Sequence, residues 1–201
     1  MTKSTPRYKA DIGGGELKVR ESRIIADLLL KNTTKDDWHQ AIVVNNILQH
    51  KSPEFAKRQA NLLRSRLTLM KPALWKMVTE GSKQTATHAV FAAAIKHSPL
   101  LGDFLDLVVK EEFKIYSKAL TKTHWRSYLE GCHGRDPLMS YWSESTESRL
   151  ASSVFGILTE VGYITDKRNK ILQPVRISPD VINYLVAENE TYVLRCIQVS
   201  A

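Results

Sequence analysis

Apolar residues recur at a helical spacing of three or four positions through most of the chain. Between positions 16 and 31 they fall at Leu17, Ile24, Leu28 and Leu29. Comparable patterns occupy 37–48, 53–70, 72–78, 84–97, 104–120, 123–129 and 145–161. Because a period near 3.6 buries one face of a helix, these segments predict an all-α protein.

Capping residues mark the predicted helix starts. Ser52-Pro53-Glu54 and Ser178-Pro179-Asp180 each place a capping hydroxyl, then a proline at the first helical position, then an acid near the positive helix end. Other candidate caps are Asp36 or Asp37, Asp103, Thr121 or Thr123, and the run Ser143-Glu144-Ser145-Thr146. All of them directly precede or open an apolar-periodic segment, which supports the predicted boundaries.

The pattern changes near the C-terminus. Tyr163-Ile164-Thr165 and Ile171-Leu172 are β-prone and flank a polar run at 166–170, which predicts a short β-hairpin. A helix is expected over 181–187, whereas 192–199 suits either a helix or an edge strand. We expect two small helical lobes with helix-turn-helix elements. The predicted segments are an N-terminal lobe at 1–80, central helices at 81–135 and a C-terminal, winged-helix-like lobe at 136–201.

Basic side chains are concentrated in the first third of the chain. The chain has 29 Lys and Arg against 21 Asp and Glu, a formal net charge of +8. Residues 1–71 hold 14 basic and 7 acidic side chains, whereas residues 141–201 hold 6 and 7. A basic excess favours an anionic partner such as nucleic acid or a membrane surface.

The predicted helices at 37–48 and 53–70, preceded by the helix at 16–31, have the order of a helix-turn-helix. On the third of these helices, Lys57, Arg64 and Lys71 recur every seven residues and form one outward basic stripe. A solvated basic face on a packing helix is the alternative interpretation.

Polar neighbours extend this basic stripe. Asn61 and Gln59 carry amides, which can pair with adenine edges. The candidate DNA-contacting residues of the N-terminal lobe are Lys51, Lys57, Arg58, Asn61, Arg64 and Lys71.

A second candidate surface combines the helix at 145–161 with the basic tip at 167–170. In a winged helix, such a helix enters the major groove and the tip contacts an adjacent backbone or the minor groove. A helix N-terminus with nearby hydroxyls favours phosphate contacts. The candidates here are Ser145, Thr146, Arg149, Lys167, Arg168 and Lys170. A plain hairpin with a solvated tip is the alternative.

Enzymatic and metal-binding patterns are sparse. His124, Cys132 and His133 lie within ten residues, but a structural zinc site takes four ligands. The run Gly13-Gly14-Gly15 lacks the Lys-Ser/Thr of a phosphate-binding loop, so we interpret it as a hinge. We therefore expect no catalysis, no cofactor and no metal.

Run length argues against a membrane span. The apolar runs fall far below the roughly 18–20 residues that cross a bilayer. The first residues contain no apolar run that could serve as a secretion signal. These features favour a cytoplasmic protein.

Short motifs along nearly the whole chain resemble those of the BrxA family of bacteriophage exclusion (BREX) defence systems. Their order and spacing carry the resemblance, because each motif is short. The motifs are Gly14-Gly15, Leu17, Glu21-Ser22, Trp38, Asn46-Ile47-Leu48-Gln49, Ala56-Lys57-Arg58, Arg66-Leu67, Asp103-Phe104, Trp142-Ser143-Glu144-Ser145-Thr146 and 158–162.

The resemblance implies an all-helical protein with helix-turn-helix elements that binds double-stranded DNA, has no catalytic role and works beside other BREX components. It supplies no catalytic motif and no fixed set of DNA-contacting residues. The alternative function is an assembly or adaptor protein that docks an acidic protein partner, with incidental DNA binding.

Overall fold

The computed structural model describes residues 5–12 and 16–199, which form two compact units. Unit 1 comprises the described residues of 1–16 together with 98–176 and 190–199, and unit 2 comprises 17–97 and 177–189. The glycine run at 13–15, predicted as a hinge, lies outside the described residues. The predicted stretches 1–80, 81–135 and 136–201 differ from this division, because each unit gathers segments from distant parts of the chain.

Helices account for the regular structure of the described residues, which form no strand, so the predicted all-α class is confirmed. Wider π-helical turns extend α2 over Gln40–Val44 and join α6 to α7 over Leu105–Val109. In chain order the helices are α1 (Val19–Leu30), α2 (Lys35–His39), α3 (Pro53–Leu67), α4 (Pro72–Glu80), α5 (Lys83–His97), α6 (Pro99–Phe104), α7 (Lys110–Lys114), α8 (Lys122–Arg135), α9 (Glu144–Val161), α10 (Pro179–Ala187) and α11 (Thr191–Ile197).

Unit 2 is built around α5. Every residue from Ala86 to Ile95 is buried, and α1, α3, α4 and α10 all pack on this helix. A helix that is apolar on all sides belongs inside a bundle, and its alanines allow neighbouring helices to approach closely. Helix α10, distant in sequence, therefore completes the core of unit 2.

Unit 1 has an aromatic core. The ring of Phe104 meets those of Trp125 and Tyr128 edge to face, each at a centroid distance of 5.2 Å. Phe155 of α9 approaches the same ring at 6.4 Å. Buried aromatic pairs in this geometry contribute beyond their buried area, and they hold α6, α8 and α9 together.

Three of the six predicted capping sites are confirmed. Ser52 Oγ accepts the Phe55 N–H at 3.2 Å, and Ser143 Oγ accepts the Thr146 N–H at 3.4 Å. Thr121 likewise caps α8. Ser178 lies at the N-cap position of α10, but its hydroxyl makes no capping hydrogen bond. The prediction for α2 is wrong: Thr34, and neither Asp36 nor Asp37, is the cap, because both acids already lie inside the first helical turn.

The helix predicted over 104–120 differs at both ends. It begins at Pro99, so Asp103 lies within the helix rather than capping it. It ends at Lys114, and Tyr116 then adopts a left-handed conformation with φ 54°. The helix predicted over 123–129 is also longer than predicted, because α8 continues to Arg135.

The predicted hairpin is reduced to isolated bridges. Ile164 pairs with Leu172 and Ala119 pairs with Ile171, both antiparallel. The Thr165 N–H donates to Ile171 O at 3.0 Å. Three short extended segments, at 118–120, 163–165 and 171–172, therefore lie side by side. The segment at 118–120 joined this group without any signal in the hydrophobic pattern.

The undecided C-terminal segment is helical as α11, where Val193, Cys196 and Ile197 are buried. Within 5–12 and 16–199, none of the helices combines the length and the apolar character that crossing a bilayer requires.

Candidate nucleic-acid interface

In unit 1, α8, α9 and the turn at 166–170 surround a groove of about 280 Å³. Trp125 and Phe155 contribute aromatic surface, and Ser148 and Ser152 contribute hydroxyls. The charged lining residues are Lys122, Arg126, Glu144, Glu147, Lys167 and Lys170. Four cations and two acids therefore line the groove. We call it the α8–α9 groove.

Helix α9 presents a polar face because its apolar residues are used inside unit 1. Leu150, Val154 and Ile157 are buried. Residues three and four apart share a helix face, so the opposite side carries the exposed side chains Ser145, Ser148, Arg149 and Ser152. Small hydroxyl side chains therefore surround one arginine on this face.

Arg149 is held along its own helix. Its Nε donates to Ser145 O, and its terminal nitrogen donates to Thr146 Oγ1, both at 3.3 Å. The predicted residues Ser145, Thr146 and Arg149 are therefore brought together at the first turns of α9. The cap residue Ser143 also contacts the Ser145 hydroxyl at 3.0 Å.

The turn at 166–170 is ordered by an aspartate. Asp166 Oδ1 accepts the backbone N–H groups of Arg168 and Asn169, each at 2.7 Å. These hydrogen bonds lower the pKa of the Asp166 carboxyl, and the bond donated by Asn169 has the largest effect. Arg168 is exposed. The turn therefore displays its cations on a defined backbone rather than on a loose loop.

Two predicted cations of the turn face the groove. The Lys170 ammonium lies 5.3 Å from the centroid of the Phe155 ring, an arrangement stabilised by the ring quadrupole. Lys167 forms an ion pair with Glu16.

Lys122 and Arg126 were not predicted as site residues from the sequence. Both are exposed on the first turns of α8 and line the groove beside the predicted turn. Their four-residue spacing directly after the cap Thr121 is a usable signal, because it places both on one helix face at a helix start. Forty residues separate them from the turn, which hid the cluster.

In unit 2, α3 carries the predicted basic stripe on its exposed face. Lys57, Arg58, Asn61 and Arg64 are all exposed, and Lys51 is exposed in the preceding segment. Two of the guanidinium groups stack on aromatic rings. Arg64 lies 4.6 Å from a ring centroid of Trp38, and Arg58 lies 5.1 Å from that of Phe55. Stacking fixes the guanidinium orientation and leaves its N–H edge available.

Lys71 does not share this helix face. α3 ends at Leu67, and Lys71 precedes α4, where its Nζ pairs with Glu188 Oε2 at 2.5 Å. The Lys71 N–H donates to the Tyr184 hydroxyl at 2.9 Å. Gln59, a predicted amide reader, is only 2% exposed and so is unavailable to bases.

The potential zinc ligands do not converge. Cys132 is buried, and burial raises the pKa of its thiol. His133 stacks on Tyr141 at a centroid distance of 4.3 Å, while His124 lies 3.9 Å from Glu112. Across the part of the chain that the structure describes, no three His, Cys, Asp or Glu side chains are grouped as a metal site.

Known proteins are similar to this chain over almost its whole length. The BrxA family matches residues 6–189. A BREX protein BrxA of Paramagnetospirillum magneticum is 59% identical over 195 residues, covering 97% of this chain and 98% of that protein. A BREX protein BrxA of Escherichia coli is 33% identical over 180 residues, covering 90% of this chain and 84% of that protein.

A solved structure has a similar fold. The crystal structure of an uncharacterized protein from Magnetospirillum magneticum matches with a TM-score of 0.92 and 57% identity, covering 97% of this chain and 100% of that chain. Since the family match and the similar proteins extend over almost the full length, this chain belongs to the BrxA family.

Proposed function

We propose that this protein binds double-stranded DNA as a non-catalytic component of a BREX anti-phage system. The observation that carries the proposal is the α8–α9 groove, where cations from α8 and from one ordered turn meet the exposed hydroxyls of α9. The relatives named above are BREX proteins, which supports the placement in that system beside other BREX components.

The order of elements in unit 1 supports a winged helix-turn-helix. A helix ending at Lys114 is followed by the extended segment 118–120, then α8, α9, the segment 163–165, the turn and the segment 171–172. In this arrangement α9 is the helix that enters the major groove, and the turn at 166–170 is the wing.

The side chains of this surface favour phosphate contacts. Lys122, Arg126 and Arg149 are exposed cations on helices, and the hydroxyls Ser145 and Ser148 can donate to phosphate oxygens. Few side chains suited to base edges accompany them. We therefore expect affinity for duplex DNA with weak sequence preference.

The α3 face of unit 2 is the second DNA-contacting surface in this proposal. Helix α3 packs on α1 and on the π-helical turn that extends α2, and this order of elements suits a helix-turn-helix. Exposed Lys57, Arg58 and Arg64 contact phosphates, and Asn61 lies among them where a base edge could be read.

A titration with duplex DNA, single-stranded DNA and unrelated competitor DNA, repeated over a range of salt, tests this function. Each neutralised phosphate contributes about −0.9 to the slope of log affinity against log salt. Replacing Lys122, Arg126 and Arg149 with alanine should flatten the slope by roughly 2–3 units. Alanine is well tolerated in helices, so the variant should fold.

A matched variant controls for net charge. Lys9, Lys76 and Lys83 are exposed and belong to neither the groove lining nor α3. Their replacement with alanine should change the slope by less than one unit. Equal effects of the two triple variants, or no duplex binding by the unmodified protein, would contradict the proposal.

An adaptor function is the second candidate, and one observation favours it. Ile115 and Tyr116 are 66% and 94% exposed, and Tyr116 is held at φ 54°. Exposed apolar side chains at a constrained turn are typical of protein contacts. If Tyr116→Ser removes binding to another BREX component while duplex affinity stays unchanged, the adaptor function is supported beside DNA binding.

A further inference from the structure

An acidic side chain from the N-terminal segment reaches the wing of unit 1. Glu16 forms an ion pair with Lys167, which lies 151 residues later and lines the α8–α9 groove. The two side chains are 35% and 51% exposed, so solvent reaches both. An anion of the protein thus lies against a cation on the proposed DNA surface.

Gly156 of α9 makes room for this ion pair. A Cβ atom at this position would lie 2.8 Å from Glu16 Cγ, 2.9 Å from Glu16 Oε1 and 3.0 Å from Lys167 Cε. Both side chains therefore pass directly over the bare backbone of α9. Glycine inside a helix is destabilising relative to alanine, so α9 is locally less stable where this pair crosses it.

We propose that Glu16 is an internal competitor for a DNA phosphate: its carboxylate holds Lys167 in the free protein and is displaced when duplex DNA binds. The inference rests on the proposed function. The chemistry is that of exchange, because a carboxylate and a phosphate are both oxyanions that accept hydrogen bonds from one ammonium group. Two anions beside one lysine repel each other, so occupation by phosphate disfavours the Glu16 contact.

Exposure sets the size of this competition. A solvent-exposed ion pair contributes about 0.2–1 kcal/mol, which corresponds to at most roughly fivefold in an equilibrium constant. Glu16 therefore lowers DNA affinity without abolishing it. Glu16 also disfavours anions that bind weakly. Only a ligand that makes other contacts on this surface compensates for losing the Glu16–Lys167 ion pair.

A double-mutant cycle tests the competition. Glu16→Gln keeps the shape of the side chain and removes its charge. We expect duplex affinity at low salt to rise by roughly 1.4-fold to fivefold, with the salt slope unchanged because Lys167 contacts phosphate in both proteins. Lys167→Met should flatten the slope by about 0.9. In a protein that already carries Lys167→Met, Glu16→Gln should raise duplex affinity no more than Glu130→Gln does, a change that removes one acid outside the groove.

Two further variants separate competition from net charge and from folding. Glu130→Gln removes an exposed acid of α8 that does not line the groove, and it measures the long-range effect of one charge. Gly156→Ala places a methyl group against both Glu16 and Lys167 without changing any charge, so in that background Glu16→Gln should no longer raise duplex affinity. Thermal unfolding of each variant reports the fold.

The outcomes distinguish this inference from the proposed function. A gain in duplex affinity from Glu16→Gln that disappears in the Lys167→Met and Gly156→Ala backgrounds supports the competition. An equal gain in both backgrounds, or no gain above Glu130→Gln, overturns it while DNA binding stands. If no variant and no unmodified protein binds duplex, the proposed function fails and the inference with it.

Discussion

Asp103 shows how much a single residue can organise in unit 1. This buried carboxylate accepts hydrogen bonds from Arg7 Nη2 at 2.8 Å and from the hydroxyls of Tyr8 and Tyr192, each at 2.7 Å. Its partners come from the N-terminal segment and from α11. One side chain of α6 therefore ties both ends of the described chain to the core of unit 1.

Replacing Asp103 with alanine should destabilise the protein strongly. The hydroxyls of Tyr8 and Tyr192 lose their acceptor, and breaking a buried charged network costs about 2–4 kcal/mol. For a chain of this size, each kcal/mol lowers the melting temperature by about 2–4 °C. Asp27→Ala removes an exposed pair with Lys31 and should cost under about 1 kcal/mol. Thermal melts that are equal for the two variants would contradict this role.

His88 makes unit 2 sensitive to acid. Its Nδ1 accepts the Ser178 N–H at 2.9 Å, and burial lowers its pKa. Because the folded-state pKa lies below the unfolded value of about 6.5, protons bind preferentially to the unfolded chain. Stability is therefore fully present above pH ~6.5 and declines as the pH falls below it.

Urea unfolding between pH 7.5 and pH 5 measures this effect. One such group contributes a slope of up to about 1.4 kcal/mol per pH unit. His88→Asn keeps an acceptor and removes the titration, so its stability should depend less on pH over the same interval. If the two proteins lose stability in parallel, other groups account for the acid sensitivity.

At the scale of elements, α3 offers the cleanest test of phosphate binding. Replacing Lys57, Arg58 and Arg64 with alanine should flatten the salt slope by roughly 2–3 units. Binding should weaken almost equally for all DNA sequences, because phosphates carry no base identity. Lys71 is left unchanged, since it pairs with Glu188.

A matching triple variant in the turn at 166–170 can be compared with the α3 variant. The same substitution at Lys167, Arg168 and Lys170 should cause a smaller loss, because residues 141–201 carry six basic and seven acidic side chains and attract DNA less at long range. A folded α3 variant with unchanged affinity and slope would assign DNA binding to unit 1 alone.

At the scale of the whole molecule, the C-terminal helices are needed by both units. α10 belongs to unit 2 and α11 to unit 1. Removing α10 deletes the buried side chains of Val181, Tyr184 and Leu185 and uncovers the surface on which they pack, and burial of a large apolar side chain contributes about 1.5–3 kcal/mol. That sum rivals the 5–15 kcal/mol stability of a typical domain.

A chain ending at residue 176 should therefore lose cooperative thermal unfolding, followed by circular dichroism. A fragment of residues 1–80 should also fail to fold, because it lacks α5 and α10. A chain lacking only residues 200–201 is the control and should melt like the full protein. A cooperative transition in the fragment 1–80 would show that α5 is dispensable for this part of unit 2.

The local structure could be predicted from the amino-acid sequence alone. Helical periodicity predicted the all-α class, and the caps Ser52 and Ser143 and the stop at Gly162 define helix boundaries through hydrogen bonds and backbone conformations that involve only nearby residues. The exposed face of α3 followed from the same periodicity. Its basic residues could be placed correctly because one helix carries them.

Contacts between distant segments could not be predicted from the sequence and become visible in the folded protein. Lys71 lies off the α3 face because α3 ends at Leu67, and its ammonium group pairs with Glu188, which follows α10 more than a hundred residues later. Lys122 and Arg126 lie beside the turn at 166–170 because the segments at 118–120 and 171–172 pair. Short-range patterns specify which face of a helix is buried. The partner against which that face packs depends on the whole set of buried surfaces, for which one segment holds no signal.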